Sequence, residues 1–146
     1  MNEKTVITTA IKKKIAEFRR EISTRNLTMP QRFMYYIFTQ EKGHNKLISV
    51  RDSQNREVKL SIPIGRTSEG STHILLKHYN EPVGRVTAFE IVNLLNVIEK
   101  GRRSDDGHNH YDYRLKQKRG NVEYTLGVKI KKKGDILKSF YPNRKK

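Results

Sequence analysis

The sequence predicts an α+β fold, with helices packed on one face of an antiparallel β-sheet and an extra N-terminal helix and β-hairpin. Three observations carry that prediction. Apolar residues recur at helical spacing over residues 8–22 and again over 86–98. Between them, LISVRD (47–52) and VKLSIPI (58–64) flank the turn-rich DSQNRE as two strands of a hairpin. From residue 111 onwards the apolar period changes to two. A chain of 146 residues suits a single domain with one modest core. Within it, residues 1–65 form an N-terminal helix-and-strand segment, an extension or a linker, and residues 66–146 form the main α+β unit.

The elements follow in order. In TTAIKKKIAEFRREIS, Ile11, Ile15, Phe18 and Ile22 stand at i, i+4, i+7 and i+11, an amphipathic helix capped by Thr8 or Thr9. Asn26 to Gln31, with Pro30, breaks the chain, and the aromatic run FMYYIFTQ (33–40) reads as a strand in preference to a short helix. GRTSEGS (65–71) is a loop. STHILLKHY (71–79) predicts a helix opened by Ser71 or Thr72, with Ile74, Leu75 and His78 on one stripe and His73 and Lys77 on another. Thr87 and Glu90 form a capping box, with Val86 and Ile91 as hydrophobic staple. Phe89, Ile91, Val92, Leu94, Leu95, Val97 and Ile98 make the helix that follows the central core helix, ended by Gly101. YDYRLKQK, NVEYTLGVKIK and ILKSFYP then read as a three-stranded antiparallel meander, turned at Arg119-Gly120-Asn121 and Lys133-Gly134-Asp135. One of its faces is core and the other basic. In the last strand Leu137, Ser139 and Tyr141 alternate against Ile136, Lys138 and Phe140.

The charge bounds the function. Thirty-one basic against 15 acidic residues give +16, and residues 101–146 alone carry 14 against 5. A field of that sign favours polyanions and marks the C-terminal third as a nucleic-acid face. The chain has no cysteine, so disulfides and thiolate metal sites are excluded. No apolar run approaches the ~18 residues of a membrane span, and MNEKTVITTAIKKK lacks the apolar core of a signal peptide. The expectation is a cytoplasmic protein, in the producing or a target cell, with no membrane partner. No glycine-rich phosphate loop occurs, which argues against an NTPase or a dinucleotide enzyme and against any nucleotide cofactor.

The histidines raise the question of chemistry. DDGHNH (105–110) places His108 and His110 beside Asp105 and Asp106, a donor set that suits zinc or manganese, but its turn-rich composition reads as a solvated connection. His73 and His78 are five residues apart, roughly 140° around a regular helix, so they do not read as a zinc pair. No cofactor and no metal are expected.

Taken together, the helix H-I-L-L-K-H, the second apolar helix closed by Gly-Arg, the alternating strands and the terminal L-K-S-F-Y-P-N resemble the nuclease domains of phage head-morphogenesis proteins and bacterial polymorphic toxins. These belong to the barnase–EndoU–colicin–RelE group of metal-independent ribonucleases. The resemblance covers residues 70–144. It implies one or two helices on a four-stranded antiparallel sheet, and cleavage of RNA, tRNA among the candidates, on the open face of that sheet by attack of its own 2′-OH. It implies catalytic roles for His73, His78, Ser139 and Lys138. Lys77, Arg102, Arg103, Arg114, Lys116 and Tyr141 become the RNA-binding set. The expected partners are RNA and, for a toxin, an acidic immunity protein or antitoxin. Two rival readings remain: a non-catalytic RNA- or DNA-binding module, and a structural or partner-binding phage protein. Tyr111, Tyr113 and Tyr124 lie on the apolar phase of their strands, and packing is their expected role.

Overall fold

The computed structural model describes residues 3–22, 26–65, 69–81, 85–105, 107–117 and 122–144. The expected N-terminal helix, α1, spans Glu3–Glu21, reaching back past the threonines expected to cap it. It buries Phe18 among the rings of Tyr35, Phe38 and Tyr79. The aromatic run is not a strand. It lies in a second helix, α2 (Met29–Phe38), and Pro30 begins this helix instead of breaking the chain. The physical reason is local and tertiary at once. Thr28 and Gln31 form a complete capping box, and a proline in the first turn has no amide hydrogen to lose. Met34, Tyr35, Ile37 and Phe38 then bury one helical stripe, which overrides the strand preference of aromatic residues.

The hairpin forms as expected, from β1 (Ile48–Arg51) and β2 (Glu57–Ser61). The next helix, α3, runs Gly70–Lys77 with Glu69 at the N-cap position, two or three residues before the expected Ser71 or Thr72. Ser71 and Thr72 do not cap it. They are buried in its first turn and accept hydrogen bonds from the Gln40 amide at 3.1 and 3.0 Å. Gly70 makes the reversal, with φ of 81°, and a Cβ there would lie 2.5 Å from the Pro63 carbonyl oxygen. The carbonyls of Pro63 and Ile64 accept from the Ser71 and Thr72 amides, the work a side-chain cap would otherwise do.

The capping box of Thr87 and Glu90 forms, but the expected single core helix is two: α4 (Ala88–Val92) and α5 (Leu95–Lys100). Asn93 separates them. Its carboxamide donates to the Phe89 carbonyl and accepts from Gln31, so a side chain competes with the helical ladder. Phe89 is 67% exposed, on the side of α4 away from the buried Ala88, Ile91 and Val92, and is not part of the core face.

Gly101 is followed directly by a strand, β3 (Arg102–Asp105), where a loop was expected. With β4 (His110–Lys116), β5 (Val122–Lys129) and β6 (Asp135–Arg144) the meander has four strands, not three. The expected turn at Arg119–Asn121 lies outside the described residues. The sheet order is β1-β2-β6-β5-β4-β3. It is mixed and not purely antiparallel, because Leu60 and Ser61 of β2 pair in parallel with Asp135 and Ile136 of β6. α4, α5 and the hairpin turn bear on the face that carries Tyr113, Tyr124 and Phe140: Tyr124 donates to Glu90, Tyr113 to Asp52, and Ser53 to the Gly101 carbonyl. Residues from both halves of the chain, Phe18 and Met34 with Ile91 and Leu126 among them, lie in one hydrophobic cluster.

Candidate functional site

Directly paired residues of antiparallel strands share a face. The register therefore writes out the open face of the sheet row by row. One row runs Arg102–Arg114–Thr125–Tyr141 across β3, β4, β5 and β6. The next runs Ser104–Asp112–Gly127–Ser139. At ~4.8 Å per strand the first row is about 14 Å long.

The β6 end of that row meets the histidine helix. His78 is the C-terminal cap of α3, with φ of −126° and ψ of −33°. Having left the helix, it escapes the angular separation that a regular helix imposes. Its ring meets that of His73 edge to face, with centroids 5.2 Å apart, and stacks on Tyr141 at 5.4 Å and 28°. The structure thus brings His73, His78 and Tyr141 together, against the expectation that the two imidazoles diverge. Lys77 stands exposed in the last turn between them.

Ser139 lies two residues before Tyr141 on the same face, opposite Gly127. A Cβ on Gly127 would stand 3.2 Å from the Ser139 hydroxyl and 3.9 Å from an Asp112 carboxylate oxygen, so glycine leaves the gap in which these two groups face each other. The alternation expected through β6 does not hold. Val128 pairs with Leu137 and Gly127 with Ser139, which makes Lys138 the extra residue of a β-bulge. Leu137 and Phe140 consequently both reach the core, while Ser139 and Tyr141 stay on the open face. Lys138, expected beside the serine as a catalytic residue, has no paired position on either face.

The other end of the row is basic. Where β3 begins, a cleft of about 780 Å³ is lined by Arg56, Lys100, Arg102, Arg103, Arg114 and Lys116 against the single carboxylate of Glu123. Arg102 and Arg114 are cross-strand partners, a like-charge pairing that costs stability unless an anion offsets it. Arg114 lies 3.5 Å from Asp112, and Arg103 is held by Asp105 at 2.8 Å with its guanidinium 3.9 Å over the Tyr111 ring. Lys100, Arg102 and Lys116 make no ion pair among the described residues. Arg56 was missed by sequence reasoning because it belongs to the β1–β2 turn, far away in the chain. Asp112 and Thr125 were missed although the period-two pattern of YDYRLK already put Asp112 in phase with Arg114.

The three strand tyrosines pack, as expected. Tyr111 and Tyr113 are buried and donate to Asp135 and Asp52. Burial, reinforced by the Asp52 hydrogen bond, pushes the Tyr113 phenol up to about 12. In DDGHNH, Asp105 pairs with Arg103, His108 and Asn109 lie in the exposed β3–β4 turn, and Asp106 is outside the described residues. Among the described residues no three His, Asp or Glu side chains converge on one point that suits a metal ion. No described helix is long and apolar enough to cross a membrane.

The arrangement offers two imidazoles, a hydroxyl, a carboxylate and two guanidinium groups along one face of the sheet. Such a set can move protons near neutral pH and stabilise charge on a phosphate. Compared with known protein families, curated proteins and solved structures, the chain matches none of them significantly.

Proposed function

We propose that this protein is a metal-independent endoribonuclease acting on the open face of its sheet. The row that runs from His73, His78 and Tyr141 past the buried Thr125 to the exposed Arg114 and Arg102 carries this reading. RNA supplies its own nucleophile. Its 2′-OH attacks the adjacent phosphorus, a base takes the proton, and an acid returns one to the departing 5′-oxygen. The products are a 2′,3′-cyclic phosphate and a free 5′-hydroxyl. The His73–His78 pair supplies the acid–base group, with Tyr141 fixing the His78 ring by stacking. Ser139 donates to a phosphate oxygen, and the guanidinium groups further along the strip hold the flanking phosphates.

The test is cleavage of total RNA in EDTA by the wild type and by His73→Ala and His78→Ala. Discrete fragments from the wild type are expected, with a fall of about 10²- to 10⁴-fold in at least one variant and RNA binding retained. Undiminished cleavage by the double variant, or cleavage that needs an added divalent ion, overturns the reading. RNA that is bound and never cut by the wild type leaves the non-catalytic binding module, a reading favoured by one observation: the cleft carries its charge at the end of the strip away from the histidines.

As a toxin domain it requires an acidic immunity protein or antitoxin to cover the strip, since charge complementarity speeds that association. Expression without such a partner is expected to arrest growth, and expression of the double histidine variant is not. Equal growth with both would remove the toxin role.

A further inference from the structure

The end of β4 joins two cavities. The last β3–β4 pair is Arg102 with Arg114, so Leu115 and Lys116 run on past β3 with that edge unpaired by it. The basic cleft lies there. A second pocket, of about 330 Å³, lies under α4 and α5; Phe89, Asn96, Val97, Gln117 and Phe140 are among its lining residues, with the Glu90 carboxylate engaged by the Thr87 amide and the Tyr124 hydroxyl. Leu115 lines both, so the two are neighbours around one side chain.

Their chemistry is complementary in a way that fits one ligand. The cleft is cationic. The pocket is mainly apolar and rimmed by Phe89, whose ring is 67% exposed on a helix that buries its neighbours Ala88, Ile91 and Val92. The carboxamides of Asn96 and Gln117 are both donors and acceptors, and neither makes a side-chain hydrogen bond among the described residues. An aromatic face beside unengaged amides is the equipment for stacking a base and reading its edge. The β1–β2 turn completes the cleft. Ser53 bonds the Gly101 carbonyl at 3.0 Å, and Asp52 fixes the Arg56 side chain at 2.9 Å, so this N-terminal turn is rigidly placed beside Lys100 and Arg102.

We infer that the end of β4 is a nucleotide subsite for single-stranded RNA: phosphates lie on Arg102, Arg114 and Lys116, and one base is splayed over Leu115 into the Phe89 pocket. A duplex keeps its bases stacked and cannot present one there. The inference rests on the nucleic-acid part of the proposed function but not on cleavage.

Binding of fluorescent 2′-O-methyl RNA tests it, because that ligand lacks the 2′-OH nucleophile and stays intact whether or not the protein is a ribonuclease. The wild type is expected to bind a short single strand more tightly than the same sequence as duplex. Phe89→Ala, at an exposed position, is expected to weaken single-strand binding by about tenfold, the scale of one lost stack, and to leave binding of duplex and of inorganic polyphosphate unchanged. Arg102→Gln/Arg114→Gln is expected to weaken all three ligands and to flatten the log-affinity against log-salt slope by about 1.4 for the single strand. A Phe89→Ala variant that binds the single strand normally, or loses polyphosphate equally, overturns the base pocket. An unchanged salt slope in the arginine variant overturns the phosphate site. Ordinary RNA left uncut, with this binding pattern intact, would sink the ribonuclease reading and leave the subsite standing.

Discussion

Asp52 is 5% exposed, yet it carries a full charge. Burial works against ionisation, but the Tyr113 hydroxyl, the amides of Arg56 and Gln54 and the Arg56 guanidinium all donate to it at 2.7–2.9 Å. They outweigh burial and hold the carboxyl at about 2, below the ordinary 3.8. A carboxyl depressed on folding contributes stability above its unfolded value, and that contribution is lost as the pH falls through its folded value. Thermal melts of the wild type are therefore expected to fall between about pH 4 and pH 2. Asp52→Asn should show less of that dependence, and Asp52→Ala should lose about 3 kcal/mol at pH 7, the scale of a lost hydrogen-bonded charge. A wild type and an Asp52→Asn variant with parallel pH profiles would show that the charge contributes nothing. The same residue positions Arg56 at the cleft, so one buried carboxylate ties the stability of the hairpin turn to the placement of a cleft-lining cation.

At the scale of elements, the bulge in β6 decides which residues reach the open face. Without an extra residue at Lys138, a strand with Leu137 in the core would turn Phe140 outwards, because side chains alternate strictly along a regular strand. With it, Leu137 and Phe140 both pack, Ser139 and Tyr141 share the other face, and Tyr141 meets His78. Deletion of Lys138 is expected to force a choice between packing Leu137 and packing Phe140, costing about 1.5–3 kcal/mol for one large apolar side chain displaced to water. Lys138→Ala keeps the residue count and should melt within a few degrees of the wild type. A deletion variant as stable as Lys138→Ala would mean that the bulge does not set the phase. A second element-scale feature is the junction at Gly101. The expectation was a glycine that ends the helix, a position where the left-handed conformation is common. The observed backbone is extended, at φ of −86° and ψ of −178°. Glycine is required there for another reason: a Cβ would stand 2.3 Å from the Val97 carbonyl oxygen and 2.7 Å from that of Arg114. Helix α5 passes into β3 in a single residue because that residue has no side chain.

Across the whole molecule, the +16 charge is organised and not spread evenly. Six cations meet one carboxylate in the cleft at the β3 end of the sheet; two of them, Arg102 and Arg114, belong to the row whose other end, at Tyr141, meets the imidazoles. Much of this was legible in the chain. The periods of α1, of the hairpin and of β4 and β5, the capping box at Thr87 and the packing of Tyr111, Tyr113 and Tyr124 all follow from near-neighbour rules. The sequence by itself also determined the excess of basic residues in the C-terminal third and the residue types available for proton transfer. Those are properties of composition and of contacts within a turn or a strand. The tertiary structure decided that FMYYIF is helix by burying its stripe against Phe18, with the local Thr28–Gln31 capping box in support. It decided likewise that β2 joins β6 in parallel, that a bulge resets the phase at Lys138, and that His78 leaves α3 to stack on Tyr141 63 positions away. In each case the deciding term is a contact between residues distant in the chain, and no local period carries that information.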